Sequence, residues 1–193
     1  MVEHSINQHH NFIQGYYFKD KSICDKLIKH YNSQQKTPGV CNAGIDKSIK
    51  DSLDVTLTLS EAQFYEEFKD YFSYLQECLE IYKNKYHFCD KTVTEFAIDD
   101  GFNIQKYAPG GGYPAWHCEK ADLKSSNRHL VWMTYLNDVK QGGETEFYYQ
   151  KLKVKPEKGL TLIWTADWTF THKGHTTIDE DKYIITGWYH YIK

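Results

Sequence analysis

Hydrophobic positions in this chain follow two periods, and the change falls near residue 92. In the first part, Ile23, Leu27 and Tyr31 share one face of a helix over SICDKLIKHYN, with Ser22 as its N-cap. A longer helix opens at Ser60, where Ser60 and Gln63 fit a capping box. Phe64, Phe68, Tyr71, Leu75, Leu79 and Tyr82 recur along it at helical spacing. An aromatic stripe of this kind is core material, expected to pack on the outside of a sheet and to supply stability rather than chemistry. Two extended pieces accompany the helices: FIQGYYF as an edge strand, and SLDVTLTLS with strand alternation. The segment NSQQKTPGVCNAGIDKS, rich in Gly, Pro, Asn and Ser, reads as loop, with an ordinary surface loop favoured over one near the active-site mouth.

From Val93 onward the pattern becomes one of short strands: TEFAI, GFNIQKYA, WHCEKA, HLVWMTYLN, TEFYY, LKVKP, GLTLIWT and KYIITGWYHYI. Turns separate them at PGGG, NDVKQGG, PEKG and HKGH. Many short strands with regular turn signals predict a β sandwich or barrel. The fold class expected is mainly β with flanking helices (α+β). No repeat, linker or low-complexity stretch interrupts the 193 residues, so one domain is expected, with residues 1–92 as a helical support region and 93–193 as the β core.

Composition narrows the function. Hydrophobic residues are 40% and aromatics 16%, which marks a globular chain. A net charge of -3 argues against a nucleic-acid-binding surface. Five cysteines without C-x-x-C spacing suit a reducing compartment better than a disulfide framework. MVEHSINQHHNF is polar and lacks an apolar signal region, and no apolar stretch is long enough to span a membrane. These features predict a soluble, cytoplasmic protein with no membrane partner.

The chemistry concentrates between Tyr107 and Trp188. His117 and Glu119 form an H-x-E pair, and side chains at i and i+2 of a strand point to one face. They can reach one ion together while Cys118 points away. A distant histidine, His172 or His175, can add a third ligand from another strand. Two histidines and a carboxylate occupy one face of an octahedral metal and leave the other positions open, the set used by non-haem Fe(II) oxygenases. Lys182, Ile184, Thr186 and Trp188 share one strand face, and a lysine among apolar inward residues needs an anion. PGGG at Pro109 to Gly112 lacks the Gly-Lys-Ser/Thr ending of a phosphate-binding P-loop and reads as a flexible loop over the site.

Together these pieces resemble the 2-oxoglutarate- and Fe(II)-dependent oxygenases of the prolyl 4-hydroxylase type. The matching residues are Tyr107 and the Gly-rich loop, H-x-E in place of the usual H-x-D, Arg128 followed by YLND, GGETEF, and His172 ahead of Lys182 and Trp188. The resemblance covers roughly the C-terminal half. It implies a double-stranded β-helix, a jelly roll with the metal inside, and N-terminal helices on the outside of the major sheet. That family places its distal ligand ten residues before the basic residue that binds 2-oxoglutarate, which favours His172 over His175. It implies Fe(II) on His117, Glu119 and His172, and 2-oxoglutarate on Lys182 with Tyr107, Tyr135 and Thr145. Arg128, the only arginine of the chain, and Trp188 then face the substrate. Ascorbate is implied as a further ligand.

The expected reaction couples 2-oxoglutarate and O2 to succinate, CO2 and a hydroxylated product. The substrate class expected from the family is a prolyl-containing peptide or protein, with a small molecule or free amino acid as the second choice. A non-catalytic metal-binding jelly roll is the non-enzyme reading. The abundance of Lys, Asn, Ile and Tyr points to an AT-rich genome, phage or bacterial.

Overall fold

In a computed structural model of the protein, residues 2–4, 12–41, 44–99 and 101–192 are described. Most of the polar stretch MVEHSINQHHNF lies outside them, as do two positions of the NSQQKTPGVCNAGIDKS segment. The elements in chain order are β1 (Val2–His4), β2 (Gln14–Tyr17), α1 (Ser22–Ser33), β3 (Thr37–Pro38), β4 (Leu53–Leu57), α2 (Leu59–Ala62), α3 (Glu66–Lys85) and α4 (Phe88–Lys91). Then follow β5 (Phe96–Ala97), β6 (Phe102–Tyr107), β7 (Tyr113–His117), β8 (Arg128–Tyr135), β9 (Thr145–Phe147), β10 (Leu152–Val154), β11 (Leu160–Thr165), β12 (His172–Gly174) and β13 (Lys182–Tyr191).

The strands form two antiparallel sheets. The larger has the order β1-β2-β11-β8-β13-β6-β4-β3, with β5 added beside β13. The smaller has the order β10-β9-β12-β7. Alternation along β8 explains the layering. Leu130 and Trp132 join a core that includes Phe68, Tyr71 and Tyr82 of α3, while Val131, Met133 and Tyr135 join a second core with Phe147 and Val154 of the smaller sheet. The helices thus cover the outer face of the large sheet, and the small sheet closes its inner face. Gly187 of β13 is required where Trp132 crosses it, since a Cβ there would meet the indole Cζ2 at 2.4 Å.

Several local expectations shift. Lys21, not Ser22, is the N-cap of α1, and the Asp20 carboxylate accepts from Ser22 N at 2.9 Å. The capping box sits two residues earlier than Ser60/Gln63. Glu61 N donates to Thr58 Oγ1 at 3.3 Å, and Thr58 N donates to Glu61 Oε2 at 2.8 Å. It starts the one-turn α2, and the chain then turns before α3. That break leaves Phe64 80% exposed, whereas Phe68, Tyr71, Leu75, Leu79 and Tyr82 are buried as expected. FIQGYYF is not the edge: β2 lies between β1 and β11. SLDVTLTLS forms β4, paired with β6, so the large sheet draws strands from the amino-terminal part as well. HKGH is not a turn, because His172–Gly174 pairs on both sides as β12. The strand read from WHCEKA lies earlier, at Tyr113–His117. None of the five cysteines is in a disulfide, and among the described residues no helix is long and apolar enough to cross a membrane.

Candidate metal and keto-acid site

Strand register makes the site. His172 of β12 pairs directly with His117 of β7, and their ring centroids lie 4.4 Å apart. Glu119 lies two residues past the end of β7, so strand alternation does not carry it inward. It is instead fastened there: Trp188 Nε1 donates to its Oε2 at 2.9 Å, and Arg128 Nη1 donates to its backbone carbonyl at 2.8 Å. Arg128 also lies 3.6 Å from Glu119 Oε2 and stacks 3.7 Å over the Trp188 ring. Arg128 and Trp188, expected on the substrate side, therefore line the cavity and also hold the carboxylate.

Glu119 Oε1 faces both imidazoles, 3.5 Å from His117 Nε2 and 3.3 Å from His172 Nε2. Potential donor atoms of the three residues all lie within 4.8 Å of one another. Each imidazole Nδ1 is hydrogen-bonded to a backbone carbonyl, Ala115 O at 3.0 Å for His117 and Phe170 O at 2.9 Å for His172. With Nδ1–H donating, both Nε2 lone pairs and a carboxylate oxygen converge. Three electron-pair donors so close repel unless a cation sits among them, so the set fits a divalent metal. Burial lowers the His172 pKa, with His117 adding to the effect and Glu119 opposing it. Burial would raise Glu119, but His117 and His172, when protonated, hold it well below the usual carboxylate range. Tyr113 stacks flat on His117 at 3.7 Å, and Phe147 and Trp164 flank His172 at 5.6 and 5.2 Å. His175 stands apart, its Nε2 2.6 Å from Glu146 Oε2.

The cavity, about 740 Å³, also holds Lys182. The residue is 3% exposed, and among the described residues no carboxylate forms an ion pair with it. Its Nζ donates to Gly143 O at 3.1 Å and sits 4.6 Å over the Tyr107 ring, its direct partner across β13 and β6. Burial pulls its pKa down to about 8. An anion entering the cavity gives this ammonium the partner it lacks. Gly143 has φ +72 and would place a Cβ 3.2 Å from Lys182 Cδ, so the second glycine of GGETEF makes room for the lysine.

Tyr107 lines the cavity, but its hydroxyl donates to Gln105 Oε1 at 2.8 Å. Thr145 also lines it, whereas Tyr135 lies behind, donating to Thr145 Oγ1 at 2.6 Å. Gln105 continues to Asp54 at 3.2 Å, which accepts from Lys50 at 2.7 Å and from Ser52 at 2.7 Å. Val40, Cys41, Ile49 and Lys50 reach the cavity, so the segment read as an ordinary surface loop, with Ile49 and Lys50 after it, borders the site. Tyr113 escaped the sequence reading as well. Its signal was alternation, because Tyr113, Ala115 and His117 share one face once the strand is started at residue 113.

Fold and site define a class: a double-stranded β-helix whose cavity sets a two-histidine, one-carboxylate group beside a buried cation. Residues 102–190 match the family model of the 2OG-Fe(II) oxygenase superfamily, and the relatives that the chain resembles are prolyl 4-hydroxylases. The chain is 25% identical over 116 residues to human prolyl 4-hydroxylase subunit alpha-1, covering 52% of this chain and 22% of that protein. It is 26% identical over 179 residues to Arabidopsis thaliana prolyl 4-hydroxylase 13, covering 77% of this chain and 65% of that one. Both curated relatives are therefore longer than the matched region. Among solved structures, the viral collagen prolyl hydroxylase of Paramecium bursaria Chlorella virus-1 in its 2OG complex shares the fold. Its TM-score is 0.70 at 20% identity, covering 94% of this chain and 97% of that one.

Proposed function

We propose that the protein is an Fe(II)- and 2-oxoglutarate-dependent dioxygenase that hydroxylates prolyl residues of a polypeptide. The observation that carries this is the convergence of His117, Glu119 and His172 within 4.8 Å, in the cavity that also holds the buried Lys182, which is in no ion pair among the described residues. Bound iron with 2-oxoglutarate supplies the oxidising power that turns the keto acid and O2 into succinate and CO2 and hydroxylates a C–H bond.

The chain's residues do the rest. His117 and His172 present Nε2 because their Nδ1 atoms are tied to backbone carbonyls. Trp188 and Arg128 aim the Glu119 carboxylate. Glutamate is one methylene longer than the usual aspartate, and its position beyond the end of β7 absorbs that length. Lys182 takes the far carboxylate of 2-oxoglutarate, with Tyr107 and Thr145 in the wall around it. Tyr113, Phe147 and Trp164 pack around the two imidazoles and hold their planes.

The test is turnover with Fe(II), 2-oxoglutarate and ascorbate in air. Succinate should form and O2 be consumed, at a rate that rises with a proline-containing peptide and not with free proline. No succinate under any condition would overturn the oxygenase reading. Stimulation by free proline instead would move the substrate to small molecules.

A further inference from the structure

Outside the cavity runs a line of four exposed aromatic rings. Trp116, Tyr148, Tyr149 and Trp168 are 40%, 56%, 56% and 63% exposed. Trp116 meets Tyr148 at 5.0 Å and 85°, Tyr148 meets Tyr149 at 5.2 Å and 82°, and Tyr149 meets Trp168 at 5.8 Å and 83°. The line begins at the cavity, which Trp116 also lines. Its supports are fixed to each other: Tyr148 N donates to Thr171 O at 2.9 Å, and Gln150 Nε2 donates to Thr169 O at 3.1 Å. The turn after β9 and the segment before β12 are thereby one platform. Contiguous exposed Trp and Tyr on a rigid support mark an interaction surface.

Ring orientation selects the occupant. Successive rings stand nearly perpendicular, so the line offers notches between ring faces and no flat platform. Nucleobases stack on flat faces. A pyrrolidine ring fits a notch between two aromatic rings, the way aromatic-lined grooves take polyproline II segments. The lysines beside the line are held by carboxylates, and Lys173 Nζ also stands 4.3 Å over the Trp116 ring. Glu146 lies 3.7 Å from Lys153, 3.6 Å from Lys173 and 2.6 Å from His175, and Lys120 lies 3.3 Å from Asp167.

We infer that this line is the docking track of an extended, proline-containing polypeptide, which lies along it in polyproline II form and feeds its target residue past Trp116 into the cavity. At about 3.1 Å per residue, on the order of five residues cover the track. The inference rests on the oxygenase reading for what happens in the cavity, but the binding itself needs no reaction.

The test is fluorescence anisotropy of fluorescein-labelled decaproline with the full chain, without iron or 2-oxoglutarate. Saturable binding is expected. Trp168→Ala and Tyr149→Ala should each weaken it about tenfold. Trp168→Phe should stay within about threefold of the parent, with thermal melts unchanged throughout. Cellohexaose and an oligo-dT strand should not compete. Absence of saturable binding, alanine variants that bind like the parent, or displacement by the oligosaccharide or oligonucleotide would each overturn the inference. If binding behaves as expected but no succinate ever forms, the docking track stands and the oxygenase reading falls. If succinate forms while binding ignores the aromatic rings, the reverse holds.

Discussion

Replacing Lys182 with methionine should make the ligand-free protein more stable and its use of 2-oxoglutarate far worse. Burial lowers the ammonium from its ordinary 10.5 to about 8, with Glu144 pushing the other way. That gap corresponds to about 3 kcal/mol of destabilisation of the native state. Below pH 8 both native and unfolded chains hold the proton, and the whole cost is present. Between about 8 and 10.5 the unfolded chain holds more proton than the native one, so this residue's contribution to stability rises with pH. Above that window the cost is gone.

Methionine keeps most of the volume and removes the charge. It also leaves the Gly143 carbonyl without its 3.1 Å donor, a loss of about 1 kcal/mol. The net gain at neutral pH is about 2 kcal/mol, which raises the melting midpoint by about 5 °C for a chain of this size. Loss of the cation should raise the 2-oxoglutarate requirement about a hundredfold. Thermal melts of Lys182→Met and the parent at neutral and high pH, with succinate formation titrated against 2-oxoglutarate, measure both effects. The stability gap should narrow as pH rises through the window. A lower melting midpoint for the variant, or an unchanged 2-oxoglutarate requirement, would refute the reasoning and leave Lys182 a structural residue.

Other outcomes follow from the same geometry. His172→Ala should lose bound iron and His175→Ala should keep it, as read by metal content after reconstitution; the reverse result would exchange the ligand. Trp188→Phe removes the 2.9 Å N–H donor to Glu119 and should weaken metal binding about tenfold or more in a Mn(II) titration, with the fold intact by circular dichroism. Because burial holds the His172 pKa below its ordinary value, protons compete with metal only at lower pH than for an exposed histidine. Binding should thus persist through pH 6.5 and fail as the solution is acidified further, and failure already near neutrality would contradict it. Gly187→Ala drives a methyl into Trp132 at 2.4 Å and should lower stability by about 1–3 kcal/mol in a denaturant melt, even though no ligand is touched.

The sequence made part of this legible and hid the rest for physical reasons. Two-residue alternation in β13 assigned its inward residues, because that strand is long and each face meets a different layer. The ten-residue interval to Lys182, known from the family, separated His172 from His175; local pattern does not, since both flank one short HKGH stretch. That stretch looks like a turn, and only pairing with β7 and β9 makes it a strand. Glu119 was found through its motif for a reason that fails, since the strand has already ended and Trp188 and Arg128 do the orienting. The capping box slipped by two residues because Thr58 and Ser60 are both competent caps, and the misplaced start carried Phe64 wrongly inward. Tyr135 shows a related limit: a tyrosine near a motif can support the wall without reaching the cavity.

The most direct test of the central claim is a crystal structure grown without oxygen in the presence of Mn(II) and 2-oxoglutarate. One ion should lie about 2.0–2.3 Å from His117 Nε2, His172 Nε2 and a Glu119 oxygen, with the far carboxylate of the keto acid on Lys182 Nζ. An ion held elsewhere, such as at His175 and Glu146, or a keto acid whose far carboxylate avoids Lys182, would contradict the account.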